Sequence, residues 1–180
     1  MTRRVCLASL VAIVIATPVL AQSSPSPSAD EPQQLTQQDK EFLTYAAEDN
    51  QAEIALCLLA EKKAKSPAIK AFARLMVDDH VGIESHLAAV ADAEHAGLPE
   101  GIGAEGQTTH DKLDPLTDRQ FEGAFMKAQI KDHEDDLKRF AHQASTTKNV
   151  ALRQYASETG PLLEQHLALA KAVQTSLGSE

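Results

Sequence analysis

Tryptophan is absent from the 180 residues, and the aromatic residues together make up only 4% of them. A core built without aromatic bulk must be aliphatic. With 43% hydrophobic residues, it suits packed helices better than a sandwich of aromatic-rich strands. Strand-like alternation is also missing, and beyond the N-terminal region the apolar residues recur at spacings of three and four. Basic charge is scarce: 17 Lys and Arg stand against 26 Asp and Glu, a formal net charge of −9. A chain so acidic repels phosphates, which excludes a general nucleic-acid binder. No nucleophile elbow, phosphate loop or Cys/His zinc pattern occurs. The length fits one domain.

Cysteine is nearly absent too, with only Cys6 and Cys57. Cys6 falls in a segment that reads as a signal peptide over residues 1–21. Arg3 and Arg4 precede an apolar run from Val5 to Ala16, and Val19 and Ala21 suit cleavage before Gln22. The run is too short, and too soon interrupted by Pro18, for a comfortable membrane span; an uncleaved anchor is the alternative. A lipoprotein would need its Cys after the run, and Cys6 precedes it. Cleavage takes the charge from −9 to −11 by removing Arg3 and Arg4. It also leaves Cys57 with no internal disulfide partner, although an exported compartment would permit a bridge. Small apolar packing is the expected role of Cys57. The expectation is a periplasmic protein with no transmembrane anchor after processing. Residues 22–35, rich in Ser, Pro and Gln, cannot bury an apolar face and read as a disordered tether.

Residues 36–176 read as a helical domain. Helix one should start at Thr36, capped with Asp39, and carry Phe42, Ala46, Asp49, Glu53, Leu56 and Ala60 in its seam. Ser66-Pro67 marks a break and a new start. Helix two then presents Ile69, Phe72, Met76, His80, Ile83, Leu87 and Val90, and stops at Gly97. Helix three should begin at Thr117 with Gln120 completing a capping box, and carry Met126, Ile130, His133, Leu137, Phe140 and Ala144. Helix four follows a short turn and carries Leu152, Tyr155, Thr159, Leu162, His166, Leu169 and Val173. Gly160-Pro161 inside it predicts a kink or break. Short joins make antiparallel hairpins of helices one and two and of three and four. The stretch Leu98–Leu116, extended, spans roughly 65 Å, more than the roughly 45 Å of a thirty-residue helix. The predicted fold is therefore all-α: a four-helix bundle of two antiparallel hairpins joined by a long crossover, ferritin-like, with a plain up-down bundle as the alternative.

Each seam holds a metal-capable side chain: Glu53, His80, His133 and His166, with Asp49 one turn before Glu53. Counted from the hairpin turns at about 1.5 Å per residue, Glu53 and His80 are level, and His133 and His166 differ by about one turn. Three imidazoles and a carboxylate form a plausible ligand set for zinc, copper or iron. Asp79 and Asp132 directly precede two of the histidines and point about 100° away from them. They are candidates to orient a histidine of an adjacent helix. Met76, one turn before His80, fits core filling better than ligation. The rival reading is a metal-free polar layer of hydrogen-bonded His and Glu. Val77, Ile130 and Leu163 stand three residues before the histidines, so the Glu-x-x-His pattern of carboxylate-bridged di-iron oxidases is missing and turnover is disfavoured. His86, His95, His110 and His142 read as surface residues, and the charge run Lys131–Arg139 as a solvated face enclosing His133.

Several runs carry a family resemblance. Ala52-Glu53-Ile54-Ala55-Leu56, the stretch from Ile69 through Arg74-Leu75-Met76-Val77-Asp78-Asp79-His80, Asp132-His133, and Pro161-Leu162-Leu163-Glu164-Gln165-His166-Leu167 resemble domain-of-unknown-function family 4142, over about residues 37–176. The resemblance implies an exported bacterial envelope protein related to ferritin-like bundles, and no particular activity. Its matching positions include Glu53, His80, His133 and His166; Asp49-Asn50-Gln51 departs from the family's Gly-rich approach to the Glu. Two roles follow as expectations. One is a bundle that binds a transition-metal ion for metal handling or envelope stress. The other is a metal-free interaction protein whose acidic surface or crossover meets a partner; self-association stays open in both.

Overall fold

The computed structural model describes residues 34–178; the signal segment and most of the tether lie outside the described residues. Five helices and no strands are found among them: α1 (Gln37–Lys63), α2 (Pro67–Ala93), α3 (Gly103–Leu113), α4 (Asp118–Thr146) and α5 (Val150–Leu177). No described helix is long and apolar enough to cross a membrane.

Local chemistry sets most helix ends. Thr36 and Asp39 form a full capping box, with Asp39 N–H donating to Thr36 Oγ1 at 3.2 Å and Thr36 N–H to Asp39 Oδ2 at 2.9 Å. Ser66 caps α2 ahead of Pro67, and Asn149 caps α5 by accepting from Leu152 N–H at 2.9 Å. The expected box at Thr117 does not form: the chain enters α4 through Asp118 at φ 49°, and the Thr117 carbonyl takes the Gln120 and Phe121 amides instead. Helix α2 ends before Gly97 because His95 adopts the left-handed position (φ 54°) and closes a Schellman motif. Ala96 N–H donates to Ala91 O at 2.8 Å and His95 N–H to Asp92 O at 3.1 Å. Helix α5 runs unbroken through Pro161. Pro161 and Ser157, whose carbonyl loses its donor, are both exposed, so the lost bond falls on the solvent side of the helix. Beyond the proline the buried seam is Leu163, His166, Ala170 and Val173, one residue off the expected Leu162 and Leu169.

Two polar nodes fix the direction of α4. At its end, Gln143 and Thr147 donate to Asp39 Oδ1 at 2.7 and 2.6 Å, beside the start of α1. At its beginning, Glu122 Oε1 accepts from Lys65 and Ser66 N–H, both at 2.7 Å, at the α1–α2 turn. Helix α4 thus runs antiparallel to α1 and in the same sense as α2. The connection from α2 must climb the whole bundle. It does so through α3, a helix absent from the sequence reading, which packs on α1 and α4. Close packing requires Gly106: a Cβ there would lie 2.6 Å from the Cβ of Ala52.

The core is divided. One apolar cluster gathers Leu56, Ile69, Phe72, Met76, Phe121, Phe125, Met126 and Val173. The other gathers Phe42, Leu43, Leu87, Phe140, Leu152, Tyr155 and Leu163. Between them lie buried polar side chains from all four long helices, among them Asn50, Glu53, His80, Gln129, His133, Asp136 and His166.

Candidate metal centre

Helical periodicity supplies this layer. In α4 the buried positions Glu122, Met126, Gln129, His133, Asp136, Phe140 and Gln143 recur at alternating spacings of four and three, the repeat of a packed helix seam. Five of these seven are polar or charged. The run Lys131–Arg139 is therefore not a fully solvated face: Asp136 is 2% exposed.

One ring nitrogen from each of His80, His133 and His166 lies within 4.8 Å of one from the others. Ring centroids are 5.3 Å apart for His80–His166, 5.4 Å for His133–His166 and 5.8 Å for His80–His133. The outward partners assign the tautomers. Asn50 Nδ2 donates to the His80 carbonyl at 3.0 Å, which turns its Oδ1 toward His80 Nδ1 at 2.8 Å. Nδ1 of His80 therefore carries the proton. His133 Nδ1 faces the Gln129 carbonyl at 2.9 Å and carries its proton there. His166 Nε2 meets Asp79 Oδ2 at 3.0 Å and donates to it. The nitrogens left as bare lone pairs are His80 Nε2, His133 Nε2 and His166 Nδ1. Two of them face each other, His133 Nε2 and His166 Nδ1, at 3.4 Å. The third, His80 Nε2, is buried without a hydrogen-bond partner. Tetrahedral coordination with metal–nitrogen bonds of about 2.05 Å separates ligand nitrogens by about 3.3 Å, which the 3.4 Å between His133 Nε2 and His166 Nδ1 matches.

Electrostatics holds the imidazoles neutral. Burial depresses His80 well below the usual range, and the charges His133 and His166 would carry depress it further. Burial, helped by His166 and opposed by the Gln129 carbonyl, brings His133 down to about 4. Burial lowers His166 as well, against the pull of Asp79. Lone pairs are therefore available at neutral pH.

Glu53 does not join the histidine trio directly. It belongs to an adjoining group with Asp132 and His133, and Asp132 belongs in turn to a third with Asp49 and Asp136. Burial, followed by neighbouring negative charge, raises Glu53 and Asp49 well above the carboxylate range. The same causes, with Asp132 the chief neighbour, push Asp136 up to about 7. One proton shared between Glu53 and Asp132, and another shared between Asp49 and Asp136, join each pair by a hydrogen bond, and Asp136 also accepts from the Tyr45 hydroxyl. Gln129 Nε2 donates to Glu53 Oε1 at 3.0 Å.

Of the residues expected to orient a histidine, Asp79 sits on His166 of the adjacent α5, while Asp132 and Asp49 sit among carboxylates. Cys57 is fully buried beside Glu53 and Gln129, its thiol pushed up by burial and the Glu53 charge, and it is free. Met76 lies in an apolar cluster. His95 and His142 are exposed; His86 is half-buried with its ring edge-on to Tyr155 at 5.1 Å, and His110 is half-buried on α3. Sequence reasoning passed over Asn50, Gln129 and Asp136. The signal for Gln129 and Asp136 was the four-and-three spacing through His133, and that for Asn50 its place four residues after Ala46 and three before Glu53, hidden because amides and carboxylates at seam positions read as surface.

No curated protein and no solved structure matches the chain. The model of a domain of unknown function, DUF4142, matches residues 24–173, and on that match the chain belongs to the DUF4142 family.

Proposed function

We propose that this chain is an exported, periplasmic, ferritin-like bundle that binds one transition-metal ion at His80, His133 and His166, in metal handling or envelope stress protection. The observation that carries the reading is the convergence of three neutral lone-pair nitrogens, one of them the partnerless His80 Nε2. A metal-free layer would leave two lone pairs facing each other at 3.4 Å, an unfavourable arrangement that a cation between them resolves. An all-imidazole set suits zinc, copper or iron over magnesium or calcium. Asp79, Asn50 and the Gln129 carbonyl would orient the rings and raise their basicity. The up-down-down-up order of the long helices, with its full-length crossover, supports the ferritin-like assignment.

The test is elemental analysis and calorimetric titration of protein purified from the periplasmic fraction. About one equivalent of zinc, copper or iron per chain is expected, lost in the His80→Ala/His133→Ala double variant. Absence of bound metal after challenge with all three ions overturns the reading. Recovery of the chain in the cytoplasmic fraction overturns the location.

A further inference from the structure

We propose that the metal ion reaches the histidines from the α3 side of the bundle, passed along Asp49, Asp132 and Glu53, and that α3 is a strap setting how fast it passes. The proposal rests on the histidine site described above and concerns access to it.

The three ligand groups share members. Asp132 belongs to both carboxylate groups, and His133 belongs to the Glu53–Asp132 group as well as to the histidine trio. Each group offers ligand atoms within 4.8 Å of one another, so a cation can be transferred from one to the next without losing all coordination. The inner end of the chain is marked independently by the unpartnered, buried Nε2 of His80. The outer end opens into two cavities of about 400 and 510 Å³, both bordered by Ala104, Glu105 and Gly106 of α3. Asp49 lines both cavities, and Glu53 and Asp132 line the larger. Lys40 and Arg139 border one cavity and Lys112 and Lys131 the other, so entry depends on direct ligation: a cation displaces the protons the carboxyl groups share, and oxygen ligands hold a borderline metal less firmly than imidazoles do.

Helix α3 is fastened over this opening from α1. At its leading end the Gln51 amide grips the crossover, Oε1 accepting from Gly101 N–H at 2.8 Å and Nε2 donating to the Pro99 carbonyl at 3.3 Å. At its far end the Lys63 ammonium holds the Asp114 carbonyl and, at 3.6 Å, its carboxylate. Gly106 against Ala52 sets the spacing between the fastenings. The strap borders the route.

A change to a route alters entry and exit by the same factor and leaves affinity alone. Stopped-flow uptake of Zn²⁺, and its removal by excess chromophoric chelator, would be measured on the full mature chain. Asp49→Asn should slow both about tenfold with Kd unchanged, and Asp49→Glu should restore them. Gln51→Ala/Lys63→Ala should accelerate both several-fold. Circular dichroism would confirm that each variant is folded; if Asp49→Asn does not fold, the strap variant alone decides. Rates within twofold of the parent for either variant overturn the proposal. So does slowing by Asp79→Asn in place of Asp49→Asn, which would put the entrance between α2 and α5. If the parent takes up no zinc, copper or iron, the metal reading fails and the route with it. If it takes up zinc at rates indifferent to these changes, the route alone fails.

Discussion

Acid and alkali should pull this bundle in opposite directions, and single substitutions should expose each pull. His133 falls from 6.5 to about 4 on folding. A lowered histidine contributes stability that is present above 6.5 and lost as pH falls toward 4, because the unfolded chain then binds the extra proton. The difference is worth about 3 kcal/mol at 1.36 kcal/mol per pH unit. Asp136 rises from 3.8 to about 7. Its contribution has the reverse sign: present in full below 3.8, lost as pH climbs through 7, and worth about 4 kcal/mol. Against a domain stability of about 5–15 kcal/mol each is large, yet over pH 4–6.5 their slopes cancel. Asp136→Asn keeps the oxygen that accepts from Tyr45 and removes the alkaline loss. Its stability relative to the parent should grow by about 1.4 kcal/mol per pH unit between pH 4 and 7. His133→Gln should gain relative to the parent toward acid instead. Urea unfolding of metal-free protein in chelator, followed by circular dichroism from pH 4.5 to 8, measures both. Profiles parallel to the parent in both variants would refute the assignment of these protonation states.

Three further changes probe the scaffold, each read by chemical denaturation. Gly106→Ala places a methyl 2.6 Å from the Ala52 Cβ and should cost about 1–3 kcal/mol, as overpacking does, with α3 losing amide-exchange protection before the long helices. Glu122→Ala strips the acceptor from the Lys65 and Ser66 amides and should cost about 2–3 kcal/mol, whereas Glu122→Gln keeps an oxygen and should cost less. Asp39→Ala removes the α1 capping box together with the bonds from Gln143 and Thr147, for about 2–4 kcal/mol.

The features legible in the sequence are those a single helix determines by itself. Thr36/Asp39 and Ser66-Pro67 act within four residues, and the structure uses both as read. The seams through Phe42 and Phe72 follow from period alone. Features that depend on a second element were hidden. Helix α3 buries only Leu113, so no apolar stripe announces it; Gly106 makes sense only once Ala52 lies opposite. His95 in the left-handed position was invisible because Gly97, two residues on, is the residue type that usually ends a helix. The seam residues Glu53, His80, His133 and His166 do occupy one layer, but counting heights along helix axes carries no azimuth. It could not tell that Glu53 turns toward Asp132 while the three rings turn toward each other.

What separates this layer from ordinary buried polarity is the matching of donors to acceptors. At the ends of the bundle it is complete: Asp39 accepts from Gln143 and Thr147 with one oxygen and from Thr36 with the other, and Glu122 accepts from two turn amides. Such nodes suffice to fix helix register. The middle layer follows another logic. Asn50, the Gln129 carbonyl and Asp79 each take the N–H of one imidazole from outside, so every lone pair is turned inward, where the described side chains supply no donor. A layer serving register alone would gain by reversing one tautomer, so that His133 and His166 became donor and acceptor to each other. The outward partners forbid that reversal, since the Gln129 carbonyl and the Asp79 carboxylate only accept. The protein therefore spends its outer hydrogen bonds on presenting three bare nitrogens to one point, an arrangement a cation satisfies and a proton shared across 3.4 Å does not.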